Sequence, residues 1–301
     1  MEYRLSKRRS ASLFVAIGLG PALALSLLLH IFPVFQGIYI SFFQWSGLSQ
    51  RKIFTGFGNY LRLLSDQIVW QSLSHDLTIV AVKIVVTMSL ALLFSGMLFL
   101  GFRRGTKLFQ GIIFFPNILS ISIVAIIFEF IYNPSVGILN GLLRLVGLNS
   151  LTHAWIGDPG TALASVIFAT VWASVGYQMI IIGAGMSNIP RSLLEMAEME
   201  GAGKIRQFFT IVIPLMKNVL KTCFSLMVIN TLNDTFVFIR ILTKGGPNHG
   251  TEVLGTYMYF QAFDNFKFGY GTSVAVVNFL LALVLTALLS RLMKQEAVEY
   301  A

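Results

Sequence analysis

The chain has 301 residues, of which 55% are hydrophobic and only 12% charged, and its mean hydropathy is +0.76. Soluble domains carry about a quarter charged residues, so the composition excludes a soluble globular protein and points to an all-α, polytopic membrane protein. The net charge of +9 does not describe a nucleic-acid surface, because the cations form short clusters between apolar runs, where they act as topology determinants.

Residues 1–12 are basic and read as a cytoplasmic N-terminus. The apolar run that follows outlasts the ~7–15 residues of a signal-peptide core, so an uncleaved first span is expected over 13–43, kinked near Pro33. Arg51 to Leu73 is more polar and reads as an amphipathic segment at the membrane surface. A second span is expected over 77–102, closed by Arg103, Arg104 and Lys107, and a third over 108–132. Lys83 and Glu129 fall near the outer ends of these two spans and read as snorkelling residues. Asn133, Pro134 and Gly137 mark a turn, followed by a loop with a short amphipathic stretch, Leu139 to Trp155. The charge-free run 161–188 gives the fourth span. The fifth, 214–242, is the weakest, with Asn230, Asn233, Asp234 and Arg240 inside it. Gly245-Gly246-Pro247 breaks it, and a polar loop leads to the sixth span, 270–292, and a cytoplasmic tail, 294–301.

The charge asymmetry orients these six spans in the membrane. Arg4, Lys7, Arg8 and Arg9, then Arg103, Arg104 and Lys107, then Arg191, Lys204, Arg206 and Lys217, then Arg291 and Lys294 fall on one side; Arg51, Lys52, Arg62, Arg144, Lys244 and Lys267 fall on the other. The richer side is cytoplasmic, and an even number of spans places both termini there.

Between spans four and five lies a polar helical segment, 189–204, with a proline in its first turn and glycines at 201 and 203. It is too polar to span. Its physics suits either a helix that docks into a partner's groove or an ordinary interfacial helix. Asp234, with Asn230, Asn233 and Thr235 beside it, is an intramembrane acid and so a functional-site candidate. It either lines a polar site or pairs with Arg240 or a partner subunit to hold the bundle. Trp172, Tyr177 and Gln178 in span four and Asn278 in span six add groups suited to a polyhydroxylated ligand.

Several chemistries lack their residues. Gly201-Ala-Gly203-Lys204 fails the phosphate-loop pattern, since Glu198 stands five before Gly203 and Ile205 follows the lysine. No nucleophile–base constellation appears, so no enzyme is expected. The four histidines show no ligand spacing, and no metal site is expected. The single Cys223 permits no intrachain disulfide and reads as a small buried hydrophobe. Asn233-Asp-Thr235 fits a glycosylation sequon but lies in a span.

The segment from Glu195 to Pro214 resembles the coupling-helix signature of ATP-binding-cassette importer permeases, with Glu195, Ala197, Gly201, Ile211 and Pro214 at matching spacings. Met196 and Ile213 depart from the usual Ala and Leu. Leu242-Thr-Lys-Gly245-Gly246-Pro247, Thr251-Glu-Val, Phe57-Gly-Asn59-Tyr60 and Phe268-Gly-Tyr-Gly271 resemble carbohydrate permeases of the maltose and glycerol-phosphate type. The resemblance implies the membrane domain of a type I ABC importer carrying a sugar or oligosaccharide. It also implies a second homologous permease subunit, an extracytoplasmic sugar-binding protein, and two ATPase subunits that bind the ATP and Mg. This chain would hold no cofactor and contact membrane lipid but no nucleic acid. Glu195, Ala197, Gly201 and Ala202 would couple to the ATPase, and Tyr177, Asn230, Asn233, Asp234, Thr235 and Asn278 would serve the substrate. Thr235 stands where the maltose permease has Asn, which leaves the sugar open. An ion-coupled transporter acting alone is the alternative, with few intramembrane acids to drive it.

Overall fold

The computed structural model describes residues 17–101 and 105–292. The expected terminal segments 1–12 and 294–301, the first residues of span one, and Arg4, Lys7, Arg8, Arg9, Arg103, Arg104 and Lys294 lie outside the described residues. The chain divides into two compact units.

The first unit comprises residues up to 65 and 258–277. Its long helix α1 (Ile17–Ser41) is apolar on all sides and keeps Leu23, Leu27, Leu29 and Phe35 exposed, as a lipid-facing span does. Pro33 does not break it. A π-turn over Leu27–Ile31 precedes the proline, at the point where a backbone donor is missing. After α1 a two-residue antiparallel pair forms, β1 (Phe43–Gln44) with β2 (Ile53–Phe54), in the register Phe43↔Phe54. This is the one departure from all-α among the described residues. The short helix α2 (Gly58–Ser65) is pinned beneath it: the Asn59 amide donates to the carbonyls of Ser41 (2.8 Å) and Phe43 (2.9 Å), and Tyr60 shares a 2.7 Å hydrogen bond with Ser41. The start of the last helix, α12 (Phe268–Leu292), belongs to the same unit. Gly269 N–H donates to the Trp45 carbonyl and the Phe268 ring packs on Trp45 at 5.2 Å. Two of the motifs singled out in the sequence, around Asn59 and around Gly269, therefore brace one structure.

The second unit spans 66–257 and continues from 278. Its longest helix, α3 (Gln67–Phe99), starts ten residues before the expected second span. Asp66 caps it, its side chain accepting from Ile68 N–H. The expected third span is two helices, α4 (Thr106–Ile118) and α5 (Ile121–Ile131), bent by 98°. Pro116 sits in the last turn of α4, Leu119 is extended, and Ser120 caps α5 by accepting from Ile123 N–H. Five described helices are long and apolar enough to cross a membrane, and the bent pair makes a sixth. The others are α7 (Pro159–Ser187), α10 (Lys217–Leu242) and α12, with α6 (Ile138–Leu145) a short amphipathic helix before α7. Between α7 and α10 come α8 (Arg191–Met199) and α9 (Lys204–Gln207), which runs on through a π-turn (Phe208–Val212) into Ile213–Leu215.

Helices α3, α4, α5 and α10 surround α7 or one another. Gly176 sets the closest approach: a Cβ there would lie 2.2 Å from the Ile113 carbonyl oxygen and 2.6 Å from Phe114 Cα, so α4 crosses α7 backbone to backbone. Two hydrogen bonds tie further crossings, Ser95 Oγ to the Met179 carbonyl (2.9 Å) and Tyr132 hydroxyl to the Ser165 carbonyl (2.9 Å). One apolar cluster joins Met88, Met179, Phe208 and Val228, and includes Cys223, which is fully buried as its position in an apolar run suggests. A second joins Ile79, Phe128, Ala169 and Phe238.

The loop after α10, which leads into the short helix α11 (Leu254–Tyr259), folds back onto the first turns of α3. Thr243 and Thr251 hydroxyls meet at 2.7 Å, Thr251 Oγ1 donates to the Gly246 carbonyl, and Gly246-Pro247 is cis. His249 Nδ1 lies 2.9 Å from Glu252 Oε2, His75 Nδ1 donates to the Glu252 carbonyl, Leu254 N–H donates to Asp76, and the Tyr257 hydroxyl donates to Asp66. The polar start of α3 is thus the seat of the Gly-Gly-Pro loop.

Candidate functional site

Four helices of the second unit converge on a small polar cavity of about 60 Å³. Helix α10 contributes Met227, Asn230, Thr231 and Asp234, which recur at the three- and four-residue spacing that puts side chains on one helical face. Helix α7 contributes Ser174, Tyr177 and Gln178 by the same spacing. Helix α4 brings Asn117, carried to the cavity by its last turn before the break, and α3 brings Lys83.

Lys83 does not snorkel. It is 3% exposed, it faces the cavity, and its charge and that of Asp234 act on each other. The expectation failed because α3 starts at Gln67, which moves Lys83 from near the end of a span to the middle of a 33-residue helix. A cation coupled to Asp234 is therefore Lys83. Glu129, by contrast, is exposed in the last turn of α5. Gln178 Oε1 and Thr231 Oγ1 are buried at the cavity and accept or donate no protein hydrogen bond. Such groups are nearly always satisfied by water or a ligand.

The structure gathers four of the sequence candidates here, Tyr177, Gln178, Asn230 and Asp234. Asn233 is exposed on a neighbouring face of α10. Thr235 is 1% exposed, and its hydroxyl, like Asn278 Oδ1, is buried without a protein partner, but neither residue lines this cavity. Trp172 packs edge-on against Phe128 at 5.4 Å instead. Lys83, Asn117, Ser174 and Thr231 were missed. Counting three and four residues from Asp234 and Tyr177 along their helices finds Thr231 and Ser174; nothing local finds Lys83 or Asn117, which arrive through packing.

The second candidate region is the turn after α8. Gly201 adopts φ +81°, Gly201 N–H donates to the Glu198 carbonyl and Ala202 N–H to that of Ala197. This pair of bonds is a Schellman cap, which needs a left-handed residue at the position of Gly201. The Gln207 side-chain amide then holds the Ala202 carbonyl at 2.8 Å. Ala197 is buried while Glu195 is exposed, and Met196 and Met199 are 50% and 83% exposed. The helix therefore presents an acid and two methionines outward from a fixed backbone.

Six apolar spans, four of which bring Lys83, Asp234 and several amides together around a polar cavity, fit the membrane domain of a transport protein. The chain belongs to the family of binding-protein-dependent transport system inner membrane components, which it matches over residues 84–295. It is 37% identical over 278 residues to the "Probable ABC transporter permease protein YurN" of Bacillus subtilis, covering 91% of this chain and 94% of that one. It is 31% identical to the diacetylchitobiose uptake system permease protein NgcF of Streptomyces coelicolor, over 90% and 79% of the two chains. The fold matches that of a bacterial alginate ABC transporter, solved in complex with a periplasmic protein carrying an alginate pentasaccharide, with a TM-score of 0.83 at 20% identity, covering 98% of this chain and all of that one. The protein is thus a permease component of a binding-protein-dependent ABC importer in the inner membrane, and the ion-coupled transporter acting alone finds no support.

Proposed function

We propose that the chain forms one wall of the import path for a sugar or oligosaccharide, with a second homologous permease subunit forming the other. An extracytoplasmic binding protein delivers the sugar, and two ATPase subunits bind the ATP and Mg that drive transport; both termini face the cytoplasm. The polar cavity carries this reading. Its donors and acceptors, Asn117, Gln178, Asn230 and Asp234 beside the Tyr177 ring, are those that sugar hydroxyls and a sugar face require. At about 60 Å³ it is far smaller than the ~300–1,000 Å³ of a ligand pocket, so a facing subunit completes it. The diacetylchitobiose and alginate systems found among the similar proteins support the substrate class.

Coupling to the ATPase falls to α8 and its capped turn, through Glu195, Ala197, Gly201 and Ala202. Ala197 supports this from inside, by packing the helix down, and the exposed Glu195, Met196 and Met199 form the docking face. In membrane vesicles carrying the assembled transporter, Tyr177→Ala and Asp234→Ala raise the sugar concentration needed for half-maximal uptake by roughly tenfold or more, about the worth of one buried polar contact, while the ATPase still co-purifies. Glu195→Ala gives the converse, lost uptake with the cavity intact. Unchanged sugar dependence in both cavity variants would remove the cavity from the path.

A further inference from the structure

By charge asymmetry six cations lie on the outward side of the membrane. Four of them, Arg51, Lys52, Arg62 and Lys267, gather around one cleft of the first unit. The cleft measures about 620 Å³, and Arg51, Arg62 and Lys267 line it together with Trp45 and Tyr270. Arg62 lies over the Tyr270 ring at 4.7 Å and Lys52 over the Trp45 ring at 4.3 Å, so the aromatic rings help hold the cations in place. None of its lining residues is acidic.

Its level is fixed by two helices of the same unit. Helix α1 ends at Ser41 and α12 begins at Phe268, and the lining residues follow the one and lead into the other. That is the membrane–water boundary, where Trp and Tyr concentrate. Around the cations stand large apolar side chains: Ile53 and Phe266 on the lining, 47% and 53% exposed, with Phe54 and Phe57 beside them, 69% and 70% exposed. Such a rim facing water would be an unfavourable apolar patch; at the boundary of headgroups and acyl chains it is stabilised.

We propose that this cleft binds the phosphate-bearing headgroup of an anionic phospholipid of the outer leaflet. Outward cations oppose the positive-inside rule, and their concentration at a single cleft gives them a common anionic ligand. Guanidinium groups bind phosphate through paired N–H donors, and the phenylalanine rim accommodates acyl chains. A free phosphate shares the headgroup's chemistry but has no use for the rim. An acidic face of a docking protein meets the charge but leaves the rim in water between encounters. The inference rests on the outward orientation and not on the sugar reading.

The test uses the assembled transporter in nanodiscs of phosphatidylcholine containing a minority of phosphatidylglycerol, with lipid retained after detergent release counted by native mass spectrometry. Selective retention of phosphatidylglycerol is expected, with a loss on the order of a hundredfold in Arg51→Gln/Arg62→Gln/Lys267→Gln, at a few-fold per cation. Because Arg62 also packs on Tyr270, Arg51→Gln/Lys267→Gln is measured as well and is expected to lose on the order of tenfold. Arg144→Gln, on the other unit, retains lipid as the unaltered protein does, and millimolar inorganic phosphate does not displace it. Equal retention of the two lipids, unchanged retention in the double and triple variants, or equal loss in Arg144→Gln overturns the proposal. So does full displacement by inorganic phosphate, which marks a free-anion site. Weakened docking of the binding protein at unchanged lipid retention also overturns it, in favour of a protein partner.

Discussion

The capped turn after α8 and the polar cavity between α3, α4, α7 and α10 place their chemistry by opposite means. In the turn, one stretch of chain does everything: a left-handed glycine and two backbone hydrogen bonds fix where Glu195, Met196 and Met199 point. In the cavity, no single stretch suffices, because Lys83, Asn117, Tyr177 and Asp234 come from four helices and meet only when those helices pack. The turn is therefore sensitive to backbone conformation and tolerant of what surrounds it. The cavity is sensitive to charge balance and to the spacing between helices. Substitutions can separate these dependences.

The charge pair gives the largest expected effect. Asp234→Asn leaves Lys83, the more deeply enclosed partner, as an uncompensated charge, at a cost of about 3–5 kcal/mol. Lys83→Met leaves Asp234, which is only half-buried, and costs less. The double variant Lys83→Met/Asp234→Asn regains most of the loss, since no lone charge remains. Thermal unfolding of the detergent-purified protein reads all three. If the double variant is as unstable as the sum of the single ones, the two residues act independently and the cavity is not held by their charges.

The spacing of the helices comes next. Gly176→Ala places a methyl group 2.2 Å from the Ile113 carbonyl oxygen, so α4 must move off α7 or α7 must bend, at about 3 kcal/mol. Asn117 then leaves the cavity, and uptake falls with stability. Gly183→Ala on the same helix meets nothing within 4 Å and is expected to stay within about 0.5 kcal/mol. A similar melting temperature for both variants would show that the close crossing is not needed.

The same contrast explains what was legible in the sequence. The six spans, the turn at Gly201 and the polar stretch around Asp234 stood out because each is written in neighbouring residues. The start of α3 did not, because Gln71, His75 and Asp76 make its first turns polar; they are polar to hold the loop that carries His249, Glu252 and Leu254. Trimming that polar end from the expected span shifted Lys83 toward the surface. The bend of the third span follows from Pro116 and the extended Leu119, a proline signal passed over inside an apolar run. Asn117 has meaning only once that bend and the Gly176 crossing are known, and no periodicity within α4 records either.

The turn itself gives the smallest change in stability and the sharpest contrast between stability and function. At φ +81° a residue with a Cβ is strained by roughly 1–2 kcal/mol, yet a Cβ at Gly201 would touch nothing within 4 Å. Strain alone therefore ranks the substitutions. Gly201→Asn, whose side chain tolerates the left-handed region, loses little; Gly201→Ala loses about 1 kcal/mol; Gly201→Val, β-branched, loses more. Every variant should still reach the membrane, because the spans are untouched. Uptake, however, should fall in the order Asn, Ala, Val, since relaxing the strain opens the Ala202-to-Ala197 hydrogen bond and swings Glu195 and Met199 away from their fixed directions. Equal uptake in the Asn and Val variants, at matched amounts in the membrane, would show that coupling does not depend on the capped conformation.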